Sequence, residues 1–290
     1  MHSQPMKNSC MTESIQKMKI EVDFHRFLVE HRHPNIIHTV LCVREGIFMQ
    51  RYVRTLQVRL LEKPTSFISE TMQFRWIKQI AAALSWIEQL GYVHGDLRLG
   101  NILLDAAENI FLTDFDGAVK SGEEMTTANC GFCPMREGFK TLPAGPVTEQ
   151  FTLASCIYSI RFGKEPWSGK DGHAEMKKLV KGETPDTGAD VLFSDLIQGC
   201  CRGAFGSVRE VQEVILDILT PFTNSSDTGS LAHADDNMSV EVEKKQRTLL
   251  AECEDFLQEE EKKIYESERA RGKSRQYRDL LERWSKRVHG

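Results

Sequence analysis

Residues 69–91, SETMQFRWIKQIAAALSWIEQLG, constrain the fold more than any other stretch of the chain. Phe74, Ile77, Ile80, Ala81, Leu84, Ile87 and Leu90 recur at three- and four-residue steps, which lays one apolar stripe along a helix. Ser69 is placed to cap its start, since a hydroxyl there accepts an otherwise unpaired amide. Gly91 suits the left-handed residue that closes a helix. Two short apolar runs follow, NILL and NIFLT, separated by the polar DAAEN. They predict a hairpin. A long amphipathic helix feeding a short hairpin predicts a mixed α+β domain, and nothing recurs at the periods of a repeat array.

Between helix and hairpin lies HGDLRLGN, with Asp96 and Asn101 five positions apart; the second hairpin run leads into Asp114. A hairpin between Asn101 and Asp114 lets the chain leave and return, so that oxygen-bearing side chains at its two ends share one point. Asp96 and Asn101 alone could be turn residues bonding their own backbone. That explanation does not reach Asp114.

Around this centre the chain is mostly helical. Residues 14–31 carry an imperfect helical stripe, with Ser14 or Thr12 as a possible cap, and HPNIIHTVLCVREGIFMQRYV predicts two strands joined at REG. Residues 117–147 are loop-like. TEQFTLASCIYSIRFG predicts a helix with a glycine stop, and DVLFSDLIQGCC and SVREVQEVILDIL predict two more. Residues 223–239 are small and polar, a linker. Residues 240–290 are highly charged with a broken apolar stripe, which suits a solvated helical pair or an arm for a helical partner through 240–288.

With 290 residues, 40% hydrophobic, the chain has ample material for a core. A net charge of −5 argues against nucleic acid or anionic lipid as main partner. The start has no apolar leader, and no run reaches the length of a membrane span. Eight irregularly spaced cysteines do not form a disulfide framework, so reduced thiols in an intracellular, cytoplasmic protein are expected. Cys130 and Cys133 form one CxxC, half of a zinc site at most.

The motifs resemble those of the protein kinase family. HGDLRLGN is similar to the catalytic loop H-R-D-x-x-x-x-N, and DFD at 114–116 is similar to D-F-G. EVDFHRFLVEHRHPNII resembles the αC helix and the turn after it, and TEQFTLASCIYSIRFGKEPW resembles the long buried C-lobe helix. The resemblance spans roughly residues 15–220. It implies a kinase-like α+β fold with a truncated N-lobe over 12–54, a mainly helical C-lobe over 55–222, and a helical C-terminal extension.

The resemblance also implies roles. Asp96 would orient an acceptor hydroxyl and take its proton; Asn101 and Asp114 would hold Mg²⁺ against the phosphates of ATP. Arg98 stands where serine/threonine kinases carry a lysine near the transferred phosphate. Met49 would be the gatekeeper, or plain core filling, with Gln50, Arg51 and Tyr52 offering backbone groups to adenine. Glu21 is the counterpart of the αC glutamate. Thr126 and Thr127 are possible phosphosites, or ordinary loop threonines.

Several parts of the family pattern are missing. No G-x-G-x-x-G precedes residue 91, and no strand lysine is there to meet Glu21; Lys17 would instead form a surface i, i+4 pair with Glu21. Gly95 replaces the HRD arginine and Asp116 the DFG glycine, with Gly117 following. CPMRE around Glu137 is the remnant of Ala-Pro-Glu, and Glu149 stands where the αF helix usually has Asp. Either the chain begins at αC or a first segment is lacking. The expectation is a serine/threonine protein kinase-like domain acting on a protein substrate, weak or inactive as written. The alternative is a pseudokinase scaffold that binds a protein partner without catalysis.

Overall fold

Helix α1 (Gln4–Glu30) opens the molecule. Its first residues contain no glycine, and their one proline, Pro5, lies in the first turn, where a missing N–H costs nothing. The helix therefore starts well before the apolar stripe, and neither Thr12 nor Ser14 caps it. The computed structural model describes residues 4–43, 46–125, 133–136, 140–168, 172–188 and 190–223. Thr126, Thr127, Cys130, Glu137, the linker beyond Thr223 and the tail lie outside the described residues.

Phe24, His25 and Leu28 form the buried face of α1. Strands β1 (Thr39–Val43) and β2 (Gly46–Met49) follow as an antiparallel pair, with a bulge between Thr39 and Leu41. His25 Nδ1 lies 2.7 Å from Thr39 Oγ1 and ties α1 to β1. The HPNI turn docks elsewhere: Asn35 Nδ2 donates to Ile110 O at 3.0 Å, and Ile37 N–H to Leu112 O at 2.9 Å.

A two-residue strand β3 (Arg54–Thr55) leads into α2 (Leu56–Glu62), which Thr55 caps by accepting the Val58 N–H. Neither element has enough length for its periodicity to show. Helix α3 (Glu70–Gln89) is capped by Ser69 as expected and buries Phe74, Ile77, Ile80, Ala81, Leu84 and Ile87. It also buries Trp76, off the expected stripe, whose indole donates to Glu108 O at 2.8 Å.

Strand β4 (Tyr92–Val93) comes next, then the hairpin β5 (Ile102–Leu104) and β6 (Ile110–Leu112), in the register Ile102↔Leu112 and Leu104↔Ile110. Its turn is organised by Asp105, whose Oδ1 accepts the Ala107 and Asn109 amides. β3 adds to the free side of β5, which makes a three-stranded sheet.

Within 117–147, read as loop, lie β7 (Val119–Lys120), paired to β4, and a small pair β8 (Met135–Arg136) and β9 (Lys140–Thr141). Helix α4 (Pro146–Phe162) is buried on every side from Thr148 to Ile160 and ends at Gly163, φ 67°. Helices α5 (Gly172–Val180), α6 (Ser194–Cys201) and α7 (Val208–Thr223) complete the described chain; α6 packs on α4, and α7 lies along α3. One core joins the inner faces of α1, α3, α4, α6 and α7 to the β5–β6 hairpin. No helix among the described residues is long and apolar enough to cross a membrane.

Candidate active site

The loop 94–101 is fixed from beneath before any chemistry is considered. Leu97 and Leu99 sink into the core on either side of Arg98. His94 is fully buried; its Nε2 lies 3.1 Å from Thr113 O, and its Nδ1 lies 3.4 Å from the Asp96 amide. Those partners assign the proton to Nε2, with Nδ1 accepting. Burial holds the ring neutral, its pKa lowered to about 4.

Glu149, in the first turn of α4, reaches up under the loop. Its two carboxylate oxygens accept the amides of His94 at 3.0 Å and Gly95 at 3.4 Å. Burial pushes its pKa up to about 7, against the pull of those two amides. The glutamate thus grips the backbone of the loop and leaves its outward side chains free to face the cleft.

Gly95 has φ 78°, and a Cβ there would stand 2.1 Å from the Gly117 carbonyl oxygen. Its departure from an arginine is therefore tied to a second one: with Gly117 pressed against the loop, only glycine fits at 95. Asp96 is 8% exposed. Its Oδ2 accepts from Asn101 Nδ2 at 3.1 Å and from Arg98 Nε at 3.3 Å. Asn101 Nδ2 also donates to Asp96 O at 2.9 Å, which orients the amide and leaves Oδ1 with no bond among the described residues.

Asp114 enters from the end of β6, half-buried, with φ 66° and ψ 70°. A non-glycine residue in this region is uncommon and here aims the carboxylate into the cleft. Burial, Asp116 and Asp96 raise its pKa; Arg98 and Lys17 pull the other way. Phe115 is fully buried against Phe24 of α1 at 4.7 Å, His94 at 4.9 Å and His25 at 5.8 Å between ring centres. This aromatic stack joins helix, loop and hairpin at one point.

Carboxylate oxygens of Asp96, Asp114 and Asp116 lie within 4.8 Å of one another. Hard oxygen donors at that separation suit Mg²⁺ or Mn²⁺. Glu21 faces the same cluster: its pKa is raised by burial, then by repulsion from Asp114 and Asp116. Lys17 does not pair with Glu21; its Nζ lies 3.6 Å from Asp116 Oδ2. Glu21 instead has His25 Nε2 at 3.9 Å, and burial keeps that imidazole neutral, its pKa lowered to about 4.

Met49, at the end of β2, is 38% exposed, so it is not core filling. The Gln50 N–H donates to His38 O at 3.0 Å and is already occupied. Tyr52 is engaged structurally: its hydroxyl accepts the His38 amide at 3.3 Å and its ring packs on Phe111 at 4.5 Å. Among 50–52, the Gln50 carbonyl and the Arg51 and Tyr52 backbones make no hydrogen bond to other described groups.

The structure thus brings Asp96, Arg98, Asn101 and Asp114 together, with Glu21 alongside and Met49 to Tyr52 at a separate edge. Sequence reading treated Asp116 as a lost glycine and missed it as a third carboxylate. A residue two positions from Asp114 on a tight turn was the available signal. Cys133, the one described member of the CxxC, is buried with its thiol pKa raised to about 11, which disfavours the thiolate a metal needs.

A family model for the protein kinase domain matches residues 5–213. Among curated proteins, the chain is 26% identical to the serine/threonine-protein kinase ppk16 of Schizosaccharomyces pombe, over 60% of this chain and 27% of that one. It is 27% identical to CBL-interacting serine/threonine-protein kinase 17 of Arabidopsis thaliana, over 62% of this chain and 44% of that one. It is 32% identical to NUAK family SNF1-like kinase 2 of Rattus norvegicus, over 37% and 18%. The chain spans less than half the length of these relatives.

Proposed function

The chain belongs to the protein kinase family, and from that membership we propose that its cleft binds ATP with Mg²⁺ and transfers the γ-phosphoryl group, slowly, to serine or threonine hydroxyls of a protein. The observation that carries this reading is the tie of Asn101 Nδ2 to both Asp96 O and Oδ2, with Asp114 within 4.8 Å of the Asp96 carboxylate. Five residues and a hairpin apart in sequence, these groups converge on one point, with Asp96 and Asn101 buried.

Bound Mg²⁺ would neutralise charge on the phosphate oxygens. Asn101 Oδ1 and the carboxylates of Asp114 and Asp116 supply oxygen donors of the kind that ion takes. Asp96, steadied by Asn101 and Arg98, accepts the proton of the attacking hydroxyl. The hydroxyl oxygen bonds to the γ-phosphorus, and the bond to the β-phosphate oxygen breaks to release ADP. Arg98 places a guanidinium beside Asp96, where it can meet a phosphoryl oxygen. Glu149 contributes indirectly by holding the His94–Gly95 backbone.

For this stretch taken by itself the proposed rate is low, because positioning and electrostatics supply most of this catalysis and no glycine-rich phosphate loop lies within residues 1–90. That same observation favours a second reading, a kinase-like module that binds a protein partner without catalysis. Radiolabelled ATP and Mg²⁺ with a mixed serine/threonine peptide pool separate the two. Incorporation by the native chain should fall by roughly 10²–10⁴-fold in Asp96→Asn. Equal labelling by both proteins would reveal a contaminant. No labelling, together with no thermal shift from MgATP, would leave the module reading standing.

A further inference from the structure

We propose that Lys17 is an internal counter-ion of the cation site, one that competes with a divalent ion for the carboxylate of Asp116. The proposal rests on the cation site described above and goes beyond it. Lys17 lies on α1, one turn before Glu21, and its ammonium is 3.6 Å from Asp116 Oδ2. Its side chain is 33% exposed and that of Asp116 26%, so the pair is open to exchange with ions from solvent.

The charges around the site support this assignment. Asp96, Asp114, Asp116 and Glu21 bring four carboxylates together, and Lys17 and Arg98 face them. Arg98 is committed to Asp96 by a hydrogen bond from Nε. His25, one turn beyond Glu21, is buried and neutral and supplies no charge. Lys17 is therefore the group whose charge trades against an incoming ion. An ammonium and a metal ion cannot share one carboxylate oxygen closely without repelling each other, so entry of the ion displaces Lys17.

Lys17 is a positioning residue in this scheme, and a purely structural role predicts the opposite result on its removal. Mn²⁺ binding to the full chain would be measured by electron paramagnetic resonance at low ionic strength, where half-exposed charges are least screened. Lys17→Met should tighten Mn²⁺ binding roughly five- to tenfold. Lys17→Arg should keep the native affinity, and Lys19→Met, at an exposed neighbour, should change nothing. In an Asp116→Asn background, Lys17→Met should have a smaller effect, limited to its Coulombic reach to Asp114. Unchanged or weaker binding by Lys17→Met, with native circular dichroism, would overturn the counter-ion role and leave the cation site intact. Absence of Mn²⁺ binding in both the native chain and Lys17→Met would overturn the two together.

Discussion

On one side of the site, the loop 94–101 rests on the buried Glu149 of α4 and sinks Leu97 and Leu99 into the core, and the amides of His94, Gly95 and Asp96 have assigned partners. On the other side, α1 and the β1–β2 hairpin expose Met18, Phe48 and Met49, while α1 is joined to the first side by aromatic packing of Phe24 and Phe27 on Phe115 and Tyr92 and by the Lys17–Asp116 pair. The difference teaches where precision is built. The loop is fixed by buried hydrogen bonds to its backbone, whereas Phe48 and Met49 at the hairpin edge stay exposed.

The largest effect that would break this contrast is at Gly95. Gly95→Ala forces a Cβ against the Gly117 carbonyl at φ 78° and should cost about 3 kcal/mol or more, read from urea unfolding. Gly46→Ala, at the first residue of β2 with nothing within 4 Å, should change stability by less than about 0.5 kcal/mol. Comparable losses at the two positions would erase the asymmetry.

Glu149 sharpens it. Its folded pKa, about 7, is above the ordinary carboxylate value, so its contribution to stability is fully present below the unfolded pKa near 4.5 and is lost as pH rises through 7. Glu149→Gln removes that titration. The stability gap between native protein and variant should widen on the order of 3 kcal/mol from pH 7.5 down to pH 4.5. The buried histidines 25, 33 and 94, with folded pKa values lowered to about 4, act in the opposite sense, losing stability as pH falls below 6.5. They are common to both proteins and cancel in the difference. A gap independent of pH would mean that Glu149 is ionised throughout.

The smallest effect concerns Asp114. Asp114→Asn removes repulsion from Asp96 and Asp116 while keeping a residue type that tolerates the left-handed region. The variant should gain about 0.5–1 kcal/mol of stability while Mn²⁺ binding weakens, the exchange expected at a site strained for a ligand. A loss of stability would instead make the carboxylate structural.

Legibility from sequence followed the same division. The α3 stripe, its Ser69 cap and the spacing from Asp96 to Asn101 to Asp114 were readable because helical period and hairpin return are local properties. Trp76 was not, since its burial depends on Glu108, thirty-two positions away, accepting its indole proton. α2, β3 and the strands between 119 and 141 are too short to carry a period. The direction of Lys17 was misread for a related reason: i, i+4 spacing names a possible neighbour on the same helix, but Asp116 comes from another element and competes for the same ammonium. Gly95 looked like a loss until Gly117 was seen pressed against it.

The all-round burial of α4 has a consequence for how this protein can be watched. Its amides from Thr148 to Ile160 are shut off from solvent by α3, α6 and α7, so their deuterium uptake waits for the whole domain to open. Mass spectrometry on that one peptide would report the lifetime of the native state directly. Because Glu149 belongs to the same helix, the clock is wired to the loop it supports.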